Sequence, residues 1–109
     1  MNLEQGDVVI GPDFIGGNRR RPFIVISNNE HPFSQEEYLV VLVTTTEREE
    51  AIPLPEEKFL EGKLPKKSFA SPWTVTTLKT DLIQERLGKL RKESLEEITS
   101  RLNEYISTN

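Results

Sequence analysis

The chain has 109 residues, a formal net charge of −4, a single His and no Cys, which is length for one domain over residues 1–109 with one modest core and leaves no disulfide framework and no thiolate metal site. With His31 as the only imidazole, a His-based metal site and a triad needing its own imidazole are both nearly excluded. Chemistry therefore falls to Arg, Lys, Asp, Glu, Thr, Ser or Tyr. No apolar run reaches the length of a membrane span and the N-terminus has no basic-then-apolar layout, so a cytoplasmic chain with no membrane partner is expected. The acidic balance speaks against generic nucleic-acid binding but leaves room for a local basic groove, because Lys and Arg cluster at 19–21, 63–67 and 86–92 while Glu concentrates at 47–61 and 93–97.

In chain order, Gly6-Asp7-Val8-Val9-Ile10-Gly11-Pro12 is a short apolar run between turn residues and predicts a first strand. A loop from Asp13 to Asn18 follows, with the Gly16-Gly17 pair opening backbone conformations closed to other residues. Pro22 to Ser27 predicts a second strand, entered from Arg19-Arg20-Arg21. A polar connector over 28–37 has strong turn chemistry. Tyr38 to Thr46 is the most hydrophobic stretch and is continuous rather than alternating, the pattern of a central strand buried on both faces. Ala51-Ile52-Pro53-Leu54-Pro55 reads as an edge strand, since each Pro removes a ladder donor. Residues 56–62 read as a loop or a single helical turn. Ser68 to Leu78 reads as one or two strands interrupted at Pro72, and Gly88-Lys89-Leu90 as a short closing strand. The helix starts at Ser94, where Ser94-Leu95-Glu96-Glu97 fits a capping box, and Leu95, Ile98, Leu102, Tyr105 and Ile106 recur at helical spacing. Many short strands and then one helix predict a mainly β (α+β) fold, a small barrel or curled antiparallel sheet with a C-terminal α-helix.

Arg21 at the start of one strand and Thr44 at the end of another meet at one sheet edge if those strands are antiparallel neighbours. A planar cationic fork beside a hydroxyl makes an anion site suited to phosphate. The bland alternatives are a solvated loop end and an ordinary strand-ending Thr. Trp73, with Lys66 and Lys67 upstream, is the arrangement on which single-stranded RNA bases stack, although a lone Trp also fits a core position. His31 is the side chain whose unperturbed proton affinity suits acid–base work near neutrality, against the simpler reading of a solvated loop residue.

Laid out in this order, the chain resembles the MazF/PemK/Kid family of toxin endoribonucleases from type II toxin–antitoxin systems. The resemblance rests on Gly6-Asp7-Val8-Val9, a Gly-bearing loop, Arg21-Pro22 opening a strand that ends Val25-Ile26-Ser27-Asn28, Leu39 to Thr44 running into Thr45 and Thr46, Ile52-Pro53-Leu54, Lys79-Thr80-Asp81, Arg86 to Leu90, and the Ser94 helix entry. It implies an SH3-like barrel working as a homodimer that cuts single-stranded RNA through 2′-OH attack without metal or other cofactor, neutralised by a cognate antitoxin. It places the catalytic Arg on Arg21 and the catalytic Thr on Thr44. RNA contacts would come from Asn18, Arg19, Arg20, Thr45, Thr46, Lys66, Lys67, Trp73, Thr76 and Lys79. The loop before Arg21 lacks the carboxylate that many members carry, which leaves Asp13 and His31 as candidates for proton transfer. The competing reading is a non-catalytic barrel module, either one that binds RNA or a protein or one like the CcdB-type gyrase inhibitors, and the C-terminal Trp used by the latter is missing here.

Overall fold

The computed structural model describes residues 2–14, 17 and 20–108. Seven strands form one antiparallel sheet: β1 (Asp7–Gly11), β2 (Arg21–Val25), β3 (Glu37–Thr44), β4 (Ile52–Pro53), β5 (Phe59–Gly62), β6 (Phe69–Lys79) and β7 (Glu85–Leu90), followed by α1 (Lys92–Ile106). The lateral order is β4-β6-β3-β2-β1-β7-β5. The Pro-bearing β4 takes an edge, as its missing donors require. The hydrophobic β3 is an interior strand between β6 and β2, and the middle place belongs to β2. No helix among the described residues is long and apolar enough to cross a membrane.

Both faces of this sheet carry core, which explains the unbroken apolar run of β3. Val41 and Val43 pack on one face with Val8, Ile24, Ile52, Phe59, Leu90 and Ile98 of α1. Val40 and Leu42 pack on the other with Leu3, Val9, Phe23, Val25, Tyr38 and Leu78. Ile52 of β4 and Phe59 of β5 share one cluster although their strands stand at opposite ends of the pairing order, so the sheet is strongly curled. The curl has a local cause in β6. Its register with β3 jumps from Leu42↔Ser71 to Val41↔Val75, leaving Pro72, Trp73 and Thr74 as a bulge where the Pro needs no ladder donor. Ala70 before the bulge joins the first cluster and Leu78 after it joins the second, where Leu78 lies directly over Gly11 of β1.

Two elements differ from the sequence expectation. Residues 59–62 form β5 after a 3-10 turn at Glu56–Lys58, where a loop or helical turn was expected. The strand exists because Gly62 and Gly88 let β5 and β7 approach closely, and a Cβ on Gly88 would overlap the Glu61 carbonyl oxygen. The helix begins at Lys92 with Arg91 as its N-cap and no side-chain cap bond, so the Ser94 capping box does not form. Ser94 is buried inside the helix, on the face that carries Ile98 into the core.

An ion-pair chain ties the N-terminal segment to β7 and β5. Asp7, buried, accepts the Glu4 N–H at 2.7 Å and the Arg86 Nε–H at 2.9 Å, and Arg86 Nη2 reaches Glu61 at 2.9 Å. The Lys89 ammonium pairs with the Glu4 carboxylate. The hydrogen bond from Lys89 holds the Glu4 carboxyl below its ordinary 4.5, and the same bond raises Lys89 above 10.5. A carboxyl whose pKa is lowered by folding stabilises the fold above its unfolded value and loses that contribution as pH falls through the lowered one. The raised Lys89 behaves oppositely, contributing below 10.5 and losing the contribution as pH rises through its raised value. Glu4→Gln is therefore expected to melt slightly below the parent near neutrality, by a small margin because the pair is solvent-screened. The gap should close on acidification below pH 4.5 and again in alkali above 10.5, read as melting temperature against pH.

Candidate active site

The β2/β3 ladder pairs Phe23 with Leu42 and Val25 with Val40. Extending that register by two residues sets Arg21 opposite Thr44, on the face that carries Phe23 and Leu42 into the second cluster. On its other side, Arg21 stands opposite Gly11 of β1. Thr44 in turn pairs with Phe69 at the start of β6, which brings the 65–68 segment alongside. The result is a cavity of about 350 Å³ lined by Ile10, Arg20, Arg21, Pro22, Val43, Thr44, Thr45, Pro65, Lys66 and Ser68.

Four polar side chains of this wall, those of Arg21, Thr44, Arg20 and Ser68, have defined partners. Arg21 is largely sunk into the wall, its side chain 16 % exposed, with Nε 3.1 Å from Oδ2 of Asp13, whose side chain is fully buried. The Thr44 hydroxyl oxygen accepts the Thr46 N–H at 3.1 Å, which leaves the hydroxyl hydrogen to donate into the cavity. Arg20 is half exposed and pairs with Glu85 at 3.0 Å. The Ser68 hydroxyl donates to the Lys66 carbonyl at 2.8 Å, fixing the backbone from which the Lys66 ammonium extends. A fork-shaped cation and a hydroxyl donor thus face one space whose rim carries two further cations. Such a wall accepts a phosphodiester and supplies donors to its oxygens.

Of the residues singled out in the sequence, the fold brings together Arg20, Arg21, Thr44, Thr45 and Lys66, with Asp13 behind Arg21. Thr46 follows Thr45 on the exposed exit of β3. Lys67 lies 6.0 Å from the centre of the Phe69 ring, beside the cavity rather than on its lining. Trp73 is on the β6 bulge, where it lines a separate shallow hollow with Arg48, Glu50 and Tyr105. Thr76 pairs with Val40, and Lys79 pairs with Glu37 at the far end of β3 from Thr44, about 23 Å along the strand. His31 lies in the turn beyond the other end of β2, where its Nδ1 accepts the Phe33 N–H at 3.0 Å and its ring meets the Phe33 ring edge-on. Asn18 and Arg19 fall outside the described residues. Ser68 and Pro65 were not singled out, and the signal for them was their place immediately beside Lys66 and Lys67 at the entrance to a strand.

The sequence of the chain matches a family model. The model describes the PemK-like, MazF-like toxins of type II toxin–antitoxin systems, and it covers residues 4–106. The chain belongs to this family. No curated protein sequence matches it. Among solved structures, this PemK/MazF-family chain is similar to an endoribonuclease in complex with its cognate antitoxin from a mycobacterial species, at 18% identity and a TM-score of 0.76, covering 99% of this chain and 96% of that one. It is also similar to MazF from Deinococcus radiodurans, at 16% identity and a TM-score of 0.75 with 99% of each chain covered. A third is the Mycobacterium tuberculosis toxin MazF-mt6, at 15% identity and a TM-score of 0.73, covering 94% of this chain and 98% of that one. At these identities the likeness establishes the common fold, a curled antiparallel sheet with a C-terminal helix.

Proposed function

We propose that this PemK/MazF-family chain is a toxin endoribonuclease that cuts single-stranded RNA without a metal ion, acts in the cytoplasm as a homodimer, and is restrained by a cognate antitoxin. The observation that carries the reading is the juxtaposition of Arg21 and Thr44 across the β2/β3 ladder, on one wall of a cavity rimmed by Arg20 and Lys66. The antitoxin follows from the family and from the mycobacterial relative, which is an endoribonuclease bound to one. The homodimer draws support from the surface. Leu39 and Val75 are exposed on the same face of β3 and β6, and a second copy would cover them.

The chemistry fits the groups present. The 2′-oxygen of the substrate attacks the adjacent phosphorus and the bond to the 5′-oxygen breaks. The 2′-OH proton is lost, and a proton is gained by the departing 5′-oxygen. Negative charge builds on the non-bridging oxygens as the bonds exchange, and stabilising that charge is what a permanently cationic fork does best. Thr44 supplies a neutral donor to a second oxygen and orients the phosphate. Both donors are fixed by the sheet before substrate arrives, so little reorganisation is needed during the reaction.

The test is incubation of purified protein with single-stranded RNA in excess EDTA, followed by analysis of the ends. Cleavage leaving a 2′,3′-cyclic phosphate and a 5′-OH is expected. RNA that stays intact would overturn the enzyme reading in favour of a binding module, and cutting lost in EDTA would overturn the metal-free step.

A further inference from the structure

The residue behind Arg21 carries an inference about how the cavity wall is held. Asp13 was a candidate for proton transfer on residue type alone, but its environment assigns it another task. Its side chain is fully buried, and Oδ2 lies 3.1 Å from Arg21 Nε. It does not line the cavity that Arg21 and Thr44 share. A carboxylate sealed from the cavity has no path to a substrate hydroxyl, whereas a group that must take the 2′-OH proton needs to come within hydrogen-bond reach of it.

The backbone explains how Asp13 comes to stand there. Gly11 is opposite Arg21 in the β1/β2 ladder. Pro12, with its fixed φ, carries the chain off the end of β1, so that the next side chain lies behind its ladder partner. An Arg side chain in open solvent samples many rotamers and loses that freedom on binding. Pairing at Nε restricts the guanidinium at that edge, and four of its five N–H donors belong to the two Nη nitrogens outside the pair. The pair is close to electrically neutral as a unit. Arg20 is likewise paired, with Glu85, so long-range attraction of RNA falls to Lys66, while Arg21 supplies aim at short range.

We infer that Asp13 is a positioning residue, which holds the Arg21 guanidinium in the orientation that receives the scissile phosphate. The inference rests on the endoribonuclease reading for its kinetic consequence, but the orientation itself is measurable without cleavage.

The experiment has two arms. In the first, single-turnover cleavage of RNA is followed for the parent, Asp13→Asn, Arg21→Ala and Arg21→Ala/Asp13→Asn. A positioning role predicts that Asp13→Asn lowers kcat about tenfold with KM within about twofold, since misplacing a catalytic group affects the transition state most. The pH–rate profile keeps its shape, and adding Asp13→Asn to Arg21→Ala costs nothing further. An equal loss in both backgrounds, a vanished ionisation in the profile, or parent-like kcat in Asp13→Asn would each overturn it. In the second arm, 15N relaxation reads the order parameter of the Arg21 Nε–H bond. A value near the rigid range of about 0.85 is expected in the parent, falling toward the flexible range below about 0.6 in Asp13→Ala. An unchanged value would overturn the inference, and if Asp13→Ala does not fold, the same comparison is made with Asp13→Asn, where a smaller fall is expected. A parent protein that leaves RNA intact would sink the endoribonuclease reading alone, because the relaxation arm still decides what Asp13 does to Arg21.

Discussion

Arg21→Ala is expected to slow RNA cleavage by about 10²–10³-fold, the usual loss when one preorganised stabiliser of developing charge is removed. The residue is expected to act on the chemical step more than on affinity, because Lys66 on the rim still attracts the RNA backbone. The substitution has a second effect that must be separated from the first. It takes away the cation at 3.1 Å from the buried Asp13 carboxylate, and removing the cation of a buried ion pair lowers stability. Arg21→Ala/Asp13→Asn removes that charge as well, so it should recover much of the lost melting temperature and none of the lost rate. Arg21→Lys keeps a positive charge but loses the planar fork, and belongs between the parent and Arg21→Ala. Cleavage by Arg21→Ala within tenfold of the parent, measured well below both melting temperatures, would remove Arg21 from the catalytic wall.

The meeting of Arg21 and Thr44 was legible in the sequence because it depends on few things. Each residue ends a strongly apolar, β-branched stretch, and one antiparallel pairing joins the start of one to the end of the other. The curled sheet with one C-terminal helix was legible for the same reason, since short strands and a single 3.6-period segment have few ways to share a core. What could not be read depends on contacts distant in sequence. The strand β5 is exposed apart from Phe59, and it owes its existence to the close approach of Gly62 and Gly88 across 26 positions. The helix start was misplaced because Ser94 fits a cap by local pattern, while Ile98 and the first core cluster draw that turn inward. Asp13 looked like any loop carboxylate. Its burial follows from Gly11 facing Arg21 in the ladder, a register that composition does not reveal. The distance of Trp73 and Lys79 from the cavity has a similar origin, because the β6 bulge and the length of β3 together decide which residues of β6 reach it.

The largest loss of stability is expected at Phe23. This residue is fully buried in β2, two positions from Arg21 and on the same face, and packs among Val9, Val25, Leu42 and Leu78. Its ring also contacts the space above Gly11, where an added Cβ would meet it at 3.5 Å. Truncation to Ala removes the ring and leaves a cavity that neighbours on four strands cannot close, at a cost of about 3–5 kcal/mol. Against the ~5–15 kcal/mol that typically holds a small domain together, that is a large fraction. Phe14 gives the internal comparison. It is 53% exposed, and its ring lies 6.5 Å from that of Phe23 at an interplanar angle of 41°. Phe14→Ala loses mainly this tilted aromatic pair, about 0.5–1.5 kcal/mol. Urea melts of the two variants should therefore show a large fall in midpoint for Phe23→Ala, a small one for Phe14→Ala, and a common slope, since neither changes how much surface unfolding exposes. Equal midpoints would mean that the second cluster is not the packed support it is taken to be. Because Phe23 is two residues from Arg21 on the same face of β2, and Phe14 follows Asp13 directly in the chain, the aromatic pair ties together the two segments that carry the ion pair. Phe14→Ala should then cost kcat, measured on the folded fraction, out of proportion to its small effect on stability.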